Sequence, residues 1–339
     1  MHQALYWASR YSLVFWLWVG PVALAAGCKS QSTRVLPAPK AESSSIHRGP
    51  LTDYVPAAGL RWMVAGRPRA FSENRGFMAA LERLIPAKRL KAFANGSGIQ
   101  LANLPEGCIA GFDYGTLYLA RVGNDTQRVR ERFEARLVSD PVSRSLHSGL
   151  WRVTGMIANT PESLLTVDND FSAIALGDPL LIRIVEGFTV DRFKKTPPAL
   201  AGAALSTLPG ELKAAPLRFY APGPFQEEWA TGAEGLLAQA FAFGVAVSLS
   251  EGARLKVHAV MSGTFGPNVE QARVRLLNTW DTIQTSAIGH VLGLKENTEP
   301  SRLEVHPSEA TLDFTLDSES LMKGLAAAVT ADTKGIFDL

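Results

Sequence analysis

The chain has 339 residues, with 34 Lys and Arg against 32 Asp and Glu, a formal net charge of +2 and 46% apolar side chains. A balance this even excludes the basic excess that nucleic-acid binding needs, and two cysteines exclude a disulfide framework. The 289 residues from Leu51 onward (339 less the first 50) suffice for one large core or two lobes.

The N-terminus reads as an export signal. Arg10 precedes the apolar run Ser12–Ala26, which ends at Gly27 and Cys28. Gly20-Pro21 interrupts the run and only Lys29 follows it, so a removable segment (residues 1–27) suits the pattern better than a membrane-spanning helix. The Ala-Ala-Gly-Cys junction resembles the lipobox of bacterial lipoproteins, with Ala25 where that motif usually has Leu. The resemblance implies that Cys28 is acylated and becomes the new N-terminus. With Lys29 rather than Asp after the Cys, it further implies a palmitate-type anchor in the outer membrane of the cell envelope. Residues 28–50 are rich in Ser, Pro and Lys and read as a flexible tether of net charge +3, leaving residues 51–339 close to −2.

The body alternates strand and helix signals. Leu60–Ala65 reads as a strand, and Glu73–Ile85 and Ala87–Asn95 as helices broken at Pro86. Cys108–Asp113 and Thr116–Arg121 form a hairpin, followed by a helix with Val129, Phe133 and Leu137 on one face. The hairpin-then-helix unit returns at Ser163–Leu176, at Gly244–Met261 and at Arg302–Leu316. Consecutive hairpins with polar–apolar alternation predict an α+β fold: an antiparallel sheet with helices packed on one face, in two lobes, 51–200 and 214–339. The apolar connection Lys194–Ala215 is read as packed on the body. The order of Tyr54–Val64, amphipathic helices, then Gly111–Leu119 and its successor helix loosely resembles uncharacterised exported bacterial lipoprotein families; the resemblance carries no functional residue across.

Chemistry-bearing motifs are sparse. No nucleophile elbow, metalloprotease helix, phosphate loop or dinucleotide fingerprint occurs, so no catalytic residue, cofactor or metal is assigned. Ser320-Leu-Met-Lys323 matches a two-position nucleophile pattern without its companion motifs, and Asp168-Asn-Asp170 suits a hairpin turn better than a calcium loop. His147, His258, His290 and His306 are too scattered for a local metal pair. Cys108, in an apolar run, reads as a buried, inert thiol. Arg61, Arg67, Arg69 and Arg75, with Lys88, Arg89 and Lys91 following, read first as a solvated face, with an anion or polysaccharide contact as the alternative.

A further helix is predicted over Phe225–Phe243, where Trp229, Leu236, Leu237 and Phe241 could border an apolar groove. The expected function is therefore a non-enzymatic envelope lipoprotein that binds a partner or scaffolds. A carrier or sensor of an apolar ligand such as a lipid, and a hydrolase with a dispersed site, are the alternatives. Expected partners are the membrane, through the lipid, and an envelope protein or apolar ligand, with no nucleic acid.

Overall fold

Local turn chemistry builds the sheet. A computed structural model describes residues 34–36, 46–139, 141–147, 149–157, 159–193, 196–226, 230–266, 268–294 and 300–337. Strands β1 (Arg34–Leu36) and β2 (Leu60–Gly66) come first, then helices α1 (Pro68–Ser72), α2 (Arg75–Leu84) and α3 (Ala87–Ser97). The Asn74 side chain caps α2 by accepting from the Phe77 amide at 2.9 Å, and Gly98, at φ 80°, ends α3 in the left-handed conformation. The hairpin β3 (Gly107–Phe112) and β4 (Gly115–Gly123) leads to α4 (Thr126–Glu134).

Next come β5 (Val142–His147) and β6 (Leu150–Ile157), then β7 (Thr160–Val167), β8 (Asp170–Leu176) and α5 (Leu180–Thr189). The β7–β8 turn places Asn169 at φ 58°, a conformation that Asn tolerates better than most residues. After short 3-10 turns between Ala199 and Ala214 follow β9 (Leu217–Pro222), β10 (Ala240–Leu249) and β11 (Arg254–Gly263). Helices α6 (Val269–Thr285) and α7 (Ala287–Leu292), the hairpin β12 (Arg302–Val305) and β13 (Glu309–Asp317), and α8 (Ser318–Phe337) complete the chain.

All of these strands form one 13-stranded sheet in the order β1-β5-β6-β7-β8-β4-β3-β2-β9-β10-β11-β13-β12. Every pairing is antiparallel except that of β1 with β5. The fold is α+β, and all four predicted hairpin-then-helix units are present.

The two halves carry the same strand plan. In the first, β2 is followed by the β3–β4 hairpin, and the β7–β8 hairpin returns so that β8 pairs with β4. In the second, β9 is followed by β10–β11, and β12–β13 returns so that β13 pairs with β11. The halves meet where β2 runs antiparallel to β9, Met63 opposite Tyr220 and Ala65 opposite Arg218. The expected lobes, 51–200 and 214–339, are thus two halves of a single sheet. The β5–β6 hairpin is an addition to the first half that the sequence reading did not anticipate.

Helices cover both faces, a refinement of the single helical face expected. Side chains that face each other across paired strands share a face, so Met63, Ala110, Leu117, Ala175 and Tyr220 lie together. They are packed by Leu181, Ile182 and Val185 of α5 and by Leu205, Leu208 and Leu212 of the 3-10 turns. The connection after residue 195 is therefore part of the core. Gly244 on β10 lets it come close: a Cβ there would lie 2.7 Å from Leu212 Cδ1. On the other face, α4 packs Val129 and Phe133 on Val153 and Leu164, while α2, α6, α7 and α8 cover β10, β11 and β13 around Trp280, Leu255, Val257 and Leu316.

Part of the stretch read as flexible tether is paired. Arg34–Leu36 adds to the β5 edge, the His47 amide donates to the Thr189 carbonyl at 2.7 Å, and Gly49 joins the ion cluster described below.

Because Leu212 is 1% exposed within the cluster that spans both halves, Leu212→Ala should cost about 2–5 kcal/mol of a total near 5–15 kcal/mol. A urea titration followed by two probes should show one lowered transition, both halves melting together. A shift below about 1 kcal/mol would contradict the core role of the connection.

Candidate functional site

The register aligns a row of apolar side chains across the sheet. Val153, Leu164, Ile174, Tyr118, Ile109, Val64, Phe219, Val245, Ala259, Leu312 and Leu303 stand directly opposite one another from β6 through to β12. Its ends are covered: Val153 and Leu164 by α4, Leu303 and Leu312 by the helices of the second half. Its middle, Tyr118, Ile109, Val64 and Phe219, is half-buried and belongs to none of the buried apolar clusters among the described residues.

Trp62, on the same face, is half-buried and lies over Gly111, where a Cβ would come within 2.4 Å of its indole. Glycine at 111 therefore lets the ring lie flat against β3. The Phe219 ring meets Phe243 edge-on at 6.2 Å, joining the row to the second half's core. The strip is half-buried along its middle, so only part of its apolar surface meets solvent.

One titratable group lies in the strip and another beside it. The Tyr118 phenol is pushed up to about 12, first by burial and then by the Glu162 carboxylate. Burial also raises the Glu162 carboxyl, with the Arg136 guanidinium at 3.8 Å opposing.

A second polar feature sits on the opposite face, at the end of β4. Arg121 donates to Glu106 at 3.1 Å, to Asp170 and, at 2.5 Å, to the Gly49 carbonyl. Glu106 also accepts the Leu51 amide at 2.9 Å. The Tyr54 hydroxyl donates to the His47 carbonyl at 2.8 Å, and its ring packs on Phe171 at 4.5 Å. These contacts hold the start of the body against the sheet. Beside them, Gln100, Asn103, Asp125, Asn169 and Asp170 line an open cleft of about 340 Å³. Another cleft, of about 230 Å³, lies between Gln239, Thr264, Gln271 and Arg275. Ile99, Leu104 and Val122 also line the first, the second is mainly polar, and both are open to solvent.

The residues singled out from sequence are dispersed. Cys28 and Trp229 lie outside the described residues. The helix expected over Phe225–Phe243 is replaced, within its described part, by two 3-10 turns, Gly232–Gly235 and Leu237–Gln239, and by the start of β10. Leu236 is fully buried with Met261, Phe265 and Leu276, Leu237 packs against that cluster, and Phe241 points outward at 51% exposure. The three do not border a common groove. The helical reading failed because Ala240-Phe-Ala-Phe-Gly-Val-Ala-Val247 alternates with period two, and the two glycines support turns rather than close helix packing.

Cys108 is buried and unpaired, its thiol pushed well above the ordinary range by burial. Asp168 and Asn169 form the β7–β8 turn, while Asp170 pairs with Arg121. His258 Nδ1 lies 2.7 Å from Asp313 Oδ1 across β11 and β13, His306 sits 3.9 Å from Glu304, and His290 is on α7. Among the described residues no three His, Cys, Asp or Glu side chains are placed to hold a metal, and no helix is long and apolar enough to cross a membrane.

No protein-family model and no curated protein matches the chain. Two solved structures resemble it. Crystal form III of TP0453 is 12% identical, with a TM-score of 0.47, covering 83% of this chain and 99% of that one. Crystal form IV of TP0453 is 9% identical, with a TM-score of 0.48, covering 83% and 97%. A likeness at this level carries nothing about function.

Glu162 offers a test of the flank of the strip. Its carboxyl is raised in the folded state, so folding favours the protonated form, and stability falls as pH rises through the folded value. Glu162→Gln should therefore raise the urea midpoint at pH 7, and the advantage should shrink as pH falls through the folded value and be gone below about pH 4.5, the unfolded value. A variant less stable than wild type at pH 7 would show instead that the ion pair with Arg136 outweighs burial.

Proposed function

We propose that this is a lipid-anchored protein of the bacterial cell envelope, held to the outer membrane through an acylated Cys28, whose body binds a partner rather than performing catalysis. The strip formed by Tyr118, Ile109, Val64, Phe219 and Trp62 is the observation that carries the binding role. Four buried apolar clusters fill the sheet around it, and the middle of the strip belongs to none of them. A packed body with one apolar strip suits recognition of another surface. The carrier reading has less support, because in its described part the helix it rested on is replaced by 3-10 turns and a strand, with Leu236 buried and Phe241 exposed.

The anchor is tested by labelling cells with a palmitate analogue: wild type should be marked and Cys28→Ser should not. Equal labelling of the two would sink the anchor. The strip is tested separately by Phe219→Ser. A half-buried contact residue should cost well under the roughly 3–5 kcal/mol of a buried Phe, while binding of an apolar-surface dye falls. A loss in the full buried range with no change in dye binding would place Phe219 in the core and remove the support for a docking surface.

A further inference from the structure

The stretch from β2 through α3 holds a concentration of positive charge that internal contacts explain only in part. Residues 61–97 contain Arg61, Arg67, Arg69, Arg75, Arg83, Lys88, Arg89 and Lys91 against Glu73 and Glu82, a net of +6 in a chain whose total is +2. Four of these cations are used within the protein. Arg61 pairs with Asp113 and Arg83 with Glu319, Arg69 reaches Glu73 at 3.1 Å, and Arg67 donates to the Ala214 carbonyl at 2.5 Å. Arg75, Lys88, Arg89 and Lys91 are exposed, and their side chains make no hydrogen bond or ion pair among the described residues.

Helix stability does not account for them. Lys88, Arg89 and Lys91 fall within the first five residues of α3, which has no acidic residue in its first turn and no side-chain cap. Cations there oppose the helix dipole, whose positive end favours anions. The apolar side chains Leu90 and Phe93 of α3 are half-buried, so the residues it turns to solvent are mainly charged and small.

We propose that this basic helical face is a docking surface for an acidic polysaccharide of the cell envelope, one carrying carboxylate or phosphate groups along its length. The inference rests on the envelope location proposed above, which places such polymers within reach. Charge complementarity carries it: four unpaired cations on successive helices, standing on an open surface, suit a repeating polyanion better than one small anion. Insertion into a bilayer is disfavoured, because that requires an exposed apolar face. The large apolar side chains exposed among the described residues are Tyr114, Val138, Val142, Leu180, Phe241 and Val274, and none belongs to α1, α2 or α3.

The test uses the full mature protein in a neutral detergent, with alginate as the acidic polysaccharide, dextran as the neutral one, and phosphatidylglycerol vesicles as the lipid surface. Retention on alginate and not on dextran is expected, weakening by about tenfold or more between 50 and 200 mM salt as released counterions are recaptured. Changing Lys88, Arg89 and Lys91 together to Glu should abolish retention with an unchanged urea midpoint, while Lys88→Arg with Lys91→Arg should preserve it. Alginate retention indifferent to the Glu variant, or binding to the vesicles without binding to alginate, would overturn the proposal. Loss of palmitate labelling at Cys28 would leave these measurements unaltered, so failure of the anchor and failure of this surface are told apart.

Discussion

The pairing of β2 with β9 is the constraint on which the rest of the molecule depends. In a strand successive side chains point to opposite faces, so one register between two strands fixes the facing of every strand joined to either. Met63 opposite Tyr220 and Val64 opposite Phe219 therefore align the first half's faces with the second half's. Shifting this pairing by one residue would put Tyr220, 1% exposed, on the face that now carries Phe219. Each half closes its own hairpins by local turn chemistry, but their common core exists only through this register.

Sharing a sheet creates a covering problem that the halves solve differently. Each strand plan ends in a helix, yet α5 packs on the face of Met63 and Tyr220 while α8 packs on the other. The second half's share of the first face is left to the 3-10 turns between Ala199 and Ala214, which bring Leu205, Leu208 and Leu212 over Ala242, Gly244 and Ala246. Ser262 anchors them by donating to the Thr207 carbonyl at 2.9 Å. Further along, that face becomes polar, with Lys256, His258, Thr315 and Asp313 in register. Sequence alternation in β11 and β13 encodes that change: Leu255, Val257, Leu312, Phe314 and Leu316 face the helices, and Lys256, His258, Asp313 and Thr315 lie on the opposite face. Where the chain enters the body, Arg121 bridges Glu106, Asp170 and Gly49, setting the direction from which the preceding residues arrive.

What was legible in the sequence was what local physics determines. Tyr114-Gly115, Asp168-Asn-Asp170, Ser250-Glu-Gly252 and Ser308-Glu-Ala310 marked turns between alternating runs, and each joins a hairpin. The α6 face shows the same rule: Ala272, Leu276 and Trp280 recur at helical spacing, and all three are buried. The β5–β6 hairpin was not seen, since Val142-Ser-Arg-Ser-Leu-His147 is too polar to stand out, though Ser148-Gly149 supplied a turn signal. Strand β9 was hidden behind the Pro-rich connection and ends at Pro222. Its six residues gain their place through β2 and β10 rather than through their own pattern. The halves' common plan was also invisible, because it lies in which strands pair and not in residue identity.

The apolar strip was illegible for a related reason, which also accounts for its position. It takes only one or two residues from each strand, so Ile109, Val64 and Phe219 look in sequence like ordinary inward positions of separate strands. Only the register lines them up. In each half the helices that follow the hairpins pack over that half's outer strands, α4 over β7 and β8, and α6 with α8 over β11 and β13. The first strand of each half, β2 or β9, lies farthest from those helices, and joining the halves edge to edge puts these two strands at the centre. The half-buried middle of the row thus falls where the two halves join, without any strand departing from normal alternation. The proposed binding role thus follows from the same pairing that creates the common core.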